Sequence, residues 1–245
     1  MVIARLPAEA LHGRRFHYYD LISVGFVTVL LCSNLIGPAK VCELDLPLVG
    51  AVSFGAGNLF FPIGYIFGDV LTEVYGYARA RRVIWAGFFA LAFATLMSRV
   101  ILALPPDPDE PFNTALQPAL ETVFDNTWRV VAASMLAYWA GDFVNSYVMA
   151  KMKVWTEGRY LWMRTIGSTV AGQGVDSLIM YPVAFAGVWS ADSLWAVIAF
   201  NFLFKTTYEA LATPLTYAVV GFLKRREGVD VYDVHTDFTP FRLED

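Results

Sequence analysis

The sequence predicts an all-α integral membrane protein of six transmembrane helices with both termini in the cytoplasm, and three observations carry that expectation. Hydrophobic residues make up 57% of the chain and charged residues 16%, at a mean hydropathy of +0.50, too apolar and charge-poor for an ordinary soluble domain. Six apolar runs follow one another along the chain. The lysines and arginines gather in alternate connections between them, as the positive-inside rule requires.

Residues 1–19 hold Arg5, Arg14 and Arg15 and no apolar run of signal-peptide length, so they read as a short cytoplasmic tail. The first span, 20–39, is nearly continuous apolar sequence with Asn34 as its strongly polar interior group. Lys40, Glu43 and Asp45 lead to the second span, 46–70, where Gly50, Gly55, Gly57, Gly64 and Gly68 allow close helix approach and Pro62 invites a kink. The third, 83–104, is featureless apart from Arg99 near its far end, where a long side chain can reach water. The connection 105–126 opens with PPDPDEP and reads as acidic and irregular.

The fourth span, 127–150, carries Tyr138, Asp142, Asn145 and Met149 at helical spacing. In the fifth, 163–188, Thr169, Gln173 and Asp176 share a face among Gly167, Gly172 and Gly174, with Pro182 beyond. The sixth, 193–223, aligns Asn201, Lys205, Glu209, Thr213 and Thr216, with Pro214 inside. Residues 20–223 are thus one membrane domain, and 224–245, opening with Lys224, Arg225 and Arg226, form a second cytoplasmic tail. Arginines 79, 81 and 82 and the basic group Lys151, Lys153, Arg159 and Arg164 fall on the side of the termini; Lys40, Arg99 and Arg129 stand against them.

The net charge of −4 says little about partners, and basic residues in short clusters between apolar runs exclude a nucleic-acid footprint. Cys32 and Cys42 are expected to be free thiols in apolar surroundings. His12, His17 and His235 lie in the tails without metal spacing, so neither metal nor cofactor is expected. The lipid bilayer is the expected surrounding, and a homo-oligomer is left open.

The polar residues inside the spans need an account, since a charge at a helix centre costs roughly 2.5 to 3.5 kcal/mol on insertion scales. Steps of three and four from Asn58 reach Pro62, Tyr65, Asp69, Thr72 and Glu73, one stripe of a helix. Asp69, Glu73 and Asp142 lie toward span ends, where neighbouring arginines or lysines can pair with them. Asp176, Lys205 and Glu209 lie deeper. One lysine cannot neutralise two carboxylates, so one is protonated or something else binds there. Asn58 and Gln173 either join helices or meet a ligand.

The runs FPIGYIFGDVLTEVYGYARARRVIW, AGDFVNSYVMAKMK, RTIGSTVAGQGVDSLIMYP and FKTTYEALATPLTY resemble the bacterial queuosine precursor transporter family, also called the VUT family. The resemblance covers nearly all of the membrane region, and DVLTEVYG and GQGVDS are its specific blocks. It implies a six-span inner-membrane protein importing 7-cyano-7-deazaguanine and 7-aminomethyl-7-deazaguanine. Such a base is flat and presents a ring N–H beside an exocyclic amine, a donor pair that one carboxylate accepts with two parallel bonds. Glu73, Asp176 or Glu209 suits that task, Lys205, Asn58 or Gln173 can donate to its carbonyl edge, and Tyr65, Asp69, Asp142 and Asn145 form a second tier along the pathway.

No phosphate-binding Gly-x-x-x-x-Gly-Lys-Ser/Thr run occurs, so the chain does not hydrolyse nucleotides itself. Transport is then facilitated, ion-coupled or driven by a partner. Pro62 and Pro182 occupy corresponding places in two three-span halves of opposite topology, the arrangement of a 3+3 inverted repeat. Two alternatives come from other classes: a substrate-binding subunit of an ATPase-energised uptake complex, and an intramembrane aspartyl enzyme. The second lacks its Gly-x-Gly-Asp motif, because Ile66 precedes Phe67-Gly68-Asp69.

Overall fold

The computed structural model describes residues 4–11, 14–36, 41–46, 50–125 and 128–242. In chain order these form β1 (Ala4–Pro7), α1 (Tyr19–Leu35), β2 (Val41–Leu46), β3 (Gly50–Gly55), α2 (Phe61–Val70), α3 (Tyr77–Ala103), α4 (Asn113–Phe124), α5 (Trp128–Trp155), α6 (Leu161–Phe185), α7 (Ala191–Glu227) and β4 (Val229–Tyr232). The chain is mostly helical, and α1, α3, α5, α6 and α7 fall on five of the six apolar runs.

The second run departs from expectation. Its first part holds β3, which pairs antiparallel with β2 of the preceding connection, followed by a 3-10 turn at Ala56–Leu59. Cys42-Glu43-Leu44-Asp45-Leu46 alternates with period two, a strand signal, and glycines at 50, 55 and 57 weaken a helix. Pro62 lies in the first turn of α2, where it starts a helix instead of kinking one. A π-helical turn, Leu71–Tyr75, extends α2, and the helical stretch from Phe61 to Tyr75 measures about 22 Å at 1.5 Å per residue, short of the roughly 30 Å of a bilayer core. The connection 105–126 is likewise only partly irregular, since α4 occupies much of it.

By length and hydropathy one described helix, α3, meets the requirement for a membrane crossing, and α1 is a shorter apolar helix. Asp142, Asp176, Lys205 and Glu209 dilute the apolar character of α5, α6 and α7. The radial distribution of polarity is inverted relative to a soluble protein. Phe89, Phe93 and Leu96 of α3 and Leu203 and Leu211 of α7 are exposed, while Asp69, Glu73, Arg164 and Glu209 are buried. Cys32 and Cys42 are free.

Helices α5 and α6 touch backbone to backbone. A Cβ added to Gly172 would stand 2.8 Å from Asn145 Cβ and 2.9 Å from the Gly141 carbonyl oxygen. One on Gly141 would meet Asp176 Cβ at 3.1 Å. Paired small residues permit that approach, and it sets the neighbouring Asp142 and Asn145 beside Gln173 and Asp176. Val70, Leu71, Val74 and Tyr75 pack against Phe26 of α1, Met149 of α5 and Val220 and Leu223 of α7.

The terminal segments are built into one end of the bundle. β1 pairs in parallel with β4. The Glu227 carboxylate accepts from the backbone N–H groups of His17 and Tyr18 at 3.1 and 2.9 Å, capping α1. Asp233 accepts from Tyr77 N–H at 3.1 Å and so caps α3, whose own preceding residue, Gly76, has φ +87° and no side chain to do it. Arg81 donates to the carbonyls of Asp237 and Thr239, both at 2.8 Å. The loops at Gly76 and Glu157 lie at this same end, the latter through Tyr232, whose hydroxyl donates to the Glu157 carbonyl at 3.3 Å.

Candidate functional site

A cavity of about 370 Å³ opens between the helices. It gathers residues from every long helix: Ser33 and Asn34 of α1, Ile84 of α3, Asp142 and Asn145 of α5, Gln173 and Asp176 of α6, and Asn201 and Lys205 of α7. α2 adds Tyr65, and Phe26, Phe60, Tyr138 and Tyr181 supply further rings. The spacings that do this are helical: Asp142 to Asn145 and Gln173 to Asp176 are three apart, Asn201 to Lys205 four.

The deep lysine has a definite partner. Lys205 Nζ donates to Asp176 Oδ2 at 3.0 Å. Glu209, one turn further along α7, belongs to neither that pair nor the cavity wall. It is fully buried, as is its neighbour Asp69 of α2, the helix packed against α7. Asn145 Nδ2 donates to Asp69 Oδ1 at 3.4 Å. The side-chain carbonyl oxygens of Asn145 and Gln173, both residues buried, have no partner among the described residues. The wall is therefore rich in acceptors.

Glu73 is not among the lining residues and its charge is already matched. Arg164 grips both carboxylate oxygens, Nε to Oε2 at 2.8 Å and Nη2 to Oε1 at 2.7 Å. Lys224 pairs with Oε1, and Lys153 lies 3.4 Å from it while donating to the Glu73 backbone carbonyl at 2.6 Å. Asp230, next to β4's first residue, completes the group at 2.7 Å from Lys153 and 2.6 Å from Lys224. Burial pushes the Asp230 pKa up, and the two ammoniums more than reverse it, leaving a net lowering. Neighbouring arginines or lysines were the expected partners, and Lys153 is one; of the arginines just after Glu73, Arg79 lies over the Phe16 ring and Arg81 binds the carboxy-terminal segment.

Of the ligand-contact residues expected from sequence, the structure brings Gln173, Asp176 and Lys205 together at the cavity, and of the second tier Tyr65, Asp142 and Asn145. Asp69 and Glu209 stand behind the wall. Asn58 lies in the 3-10 turn, and its side chain is outside the described ones. The sequence reading missed the Arg164–Lys153–Lys224 cradle, because a basic residue at a span edge looks the same whether it faces headgroups or a buried carboxylate.

The profile of the family described as "Putative vitamin uptake transporter" matches residues 55–219. A Bacillus subtilis (strain 168) protein named "Probable queuosine precursor transporter" is 32% identical over 196 residues, 80% of each chain. A Haemophilus influenzae Rd protein of the same name is 26% identical over 175 residues, 67% of each chain. No solved structure matches. These similarities place it: the chain belongs to the vitamin uptake transporter family, whose members are membrane transporters and not enzymes.

Proposed function

We propose that the chain is a multi-pass inner-membrane transporter that imports queuosine precursors, 7-cyano-7-deazaguanine and 7-aminomethyl-7-deazaguanine. The observation that carries this reading is the acceptor-rich wall, in which the Asp142 and Asp176 carboxylates stand with the carbonyls of Asn145 and Gln173, unpartnered among the described residues. A deazaguanine edge offers the matching donors, a ring N–H and an exocyclic amine. Asp142 is the best placed to take that pair, since Asp176 already holds Lys205. Lys205 faces the carbonyl edge, and the Tyr65, Tyr138 and Phe60 rings provide faces for stacking. The cavity volume is in the range of small-molecule sites, roughly 300–1,000 Å³.

The names of the two relatives support the substrate class, and the exposed apolar rings of the helices support lipid contact. The basic end that holds both terminal segments is the cytoplasmic one under the positive-inside rule. With Cys32 and Cys42 replaced, a cysteine at Arg82 should resist an impermeant thiol reagent applied to intact cells and one at Asp109 should react; the reverse would invert the orientation. Purified protein in vesicles, with no ATPase present, should take up labelled 7-cyano-7-deazaguanine. Tight binding without uptake would make the chain the capture subunit of an energised complex, and absence of binding would reject the substrate.

A further inference from the structure

Asp69 and Glu209 form a carboxyl pair from two helices, α2 and α7, that nothing in the substrate reading uses. Both are fully buried, on two helices that pack against one another, and each acts on the other as a neighbouring carboxyl. Asp69 Oδ2 and both Glu209 oxygens have no donor, and neither carboxyl has a cation partner, among the described residues. Two bare carboxylates buried as neighbours, away from water, repel each other and forfeit their hydration. One proton shared between them removes the repulsion and one of the two buried charges. The contrast with Glu73, one turn on, is direct: there three cations do the neutralising.

A second feature ties the pair to the cavity. Asn145 is buried, lines the cavity, gives its amide N–H to Asp69 and leaves its carbonyl oxygen unpartnered among the described residues. While the proton sits on Glu209, Asp69 accepts from both Glu209 and Asn145, and the Asn145 carbonyl is left for a donor in the cavity. If the proton moves to Asp69, that acid can donate to the Asn145 carbonyl and compete with the ligand. The amide is thus a polar link through which one site can sense the other.

We propose that the Asp69–Glu209 pair is a proton-carrying site that couples proton entry to import of the ligand held in the cavity. The inference rests on the transport reading above. The pair binds a proton from the outer water, holds it while the ligand occupies the cavity, and releases it to the inner water as the ligand leaves; no other bond is made or broken. The ionisable groups around the pair are few. Tyr65 and Glu73 flank Asp69 on its own segment, Glu73 within its cradle. Beyond Tyr65, on the cavity side, stand Asp142 of α5, Asp176 of α6 and its partner Lys205 of α7. α1 carries Asp20 in its first turn and Cys32 near its last.

The test uses the full chain, Asp69→Asn and Glu209→Gln, each isosteric with the protonated acid. An inside-alkaline gradient should drive wild-type vesicles to accumulate labelled 7-cyano-7-deazaguanine. Glu209→Gln should bind the compound as tightly as the wild type, and Asp69→Asn, whose amide can donate to the Asn145 carbonyl as the protonated acid does, less tightly; both should exchange it across the membrane yet lose accumulation. Accumulation indifferent to the proton gradient, or following a sodium gradient, overturns the proposal, as do variants that accumulate normally. A ligand-free readout separates its failure from that of the substrate reading. At neutral pH the wild type should show a protonated-carboxyl infrared band that both substitutions abolish. Absence of that band overturns the pair as a proton site whatever the ligand proves to be, and absence of binding by the wild type, with the band present, rejects only the ligand.

Discussion

Asp69 and Glu73 are one helical turn apart, equally buried, and surrounded in opposite ways. Glu73 meets a guanidinium and two ammoniums drawn from α5, α6 and α7, so three helices and the start of β4 are clamped through one carboxylate. Asp69 meets another acid and a carboxamide. A buried charge fully matched by fixed partners holds a structure together and has little capacity left for a ligand. A buried polar group left short of partners keeps that capacity, at a cost in stability. The difference separates the anchor of this bundle from the proposed proton and ligand sites.

The largest expected effect lies at the anchor. Glu73→Gln leaves three buried cations without their shared anion, and breaking a buried pair of this kind costs about 3–5 kcal/mol. Thermal melting should fall and the membrane-inserted yield with it, while the surviving folded protein binds a deazaguanine normally. A variant that melts like the wild type and fails to bind would reverse the roles assigned to the two carboxylates. In the cavity the opposite pattern is expected: Asp142→Asn should preserve melting and weaken binding by about 1.5–3 kcal/mol, the worth of a charge-assisted hydrogen bond, or roughly ten- to hundredfold in Kd by calorimetry.

Two smaller effects sharpen the comparison. Gly172→Ala pushes a methyl into the Asn145 Cβ and the Gly141 carbonyl, and overpacking of this kind costs about 1–3 kcal/mol. Because the same crossing positions the cavity wall, melting and binding should both decline, unlike either carboxylate variant. The mildest effect concerns Asp230. Its folded-state pKa lies below the unfolded value of about 3.9, so its stabilisation is fully present above that value and is lost as pH falls through the folded one. Asp230→Asn should lower melting at neutral pH and leave a shallower loss on acidification below about pH 4; identical acid profiles would remove Asp230 from the clamp.

Much of this was legible in the amino acids. Apolar runs place the long helices because a bilayer or a bundle interior demands continuous burial of side chains and internal satisfaction of the backbone. Helical spacing placed Gln173 with Asp176 and Asp142 with Asn145, and one deep lysine for two deep carboxylates left one acid to be protonated or to meet a bound group. Periodicity failed at residues 46–60, where an apolar, glycine-rich stretch satisfies a strand pairing as well as a helix and only the partner strand decides.

What the sequence determined by itself was therefore which faces are polar and which ends are basic, both local properties of spacing along one helix. Which of those faces meet was decided by the tertiary structure. Lys205 chose Asp176 over Glu209, Glu73 found Arg164, and the amino ends of α1 and α3 took their caps from Glu227 and Asp233. Ion pairs and caps act over a few ångströms between groups that are distant in the chain, so their partners depend on helix contacts such as the Gly141–Gly172 crossing, which no single helix contains.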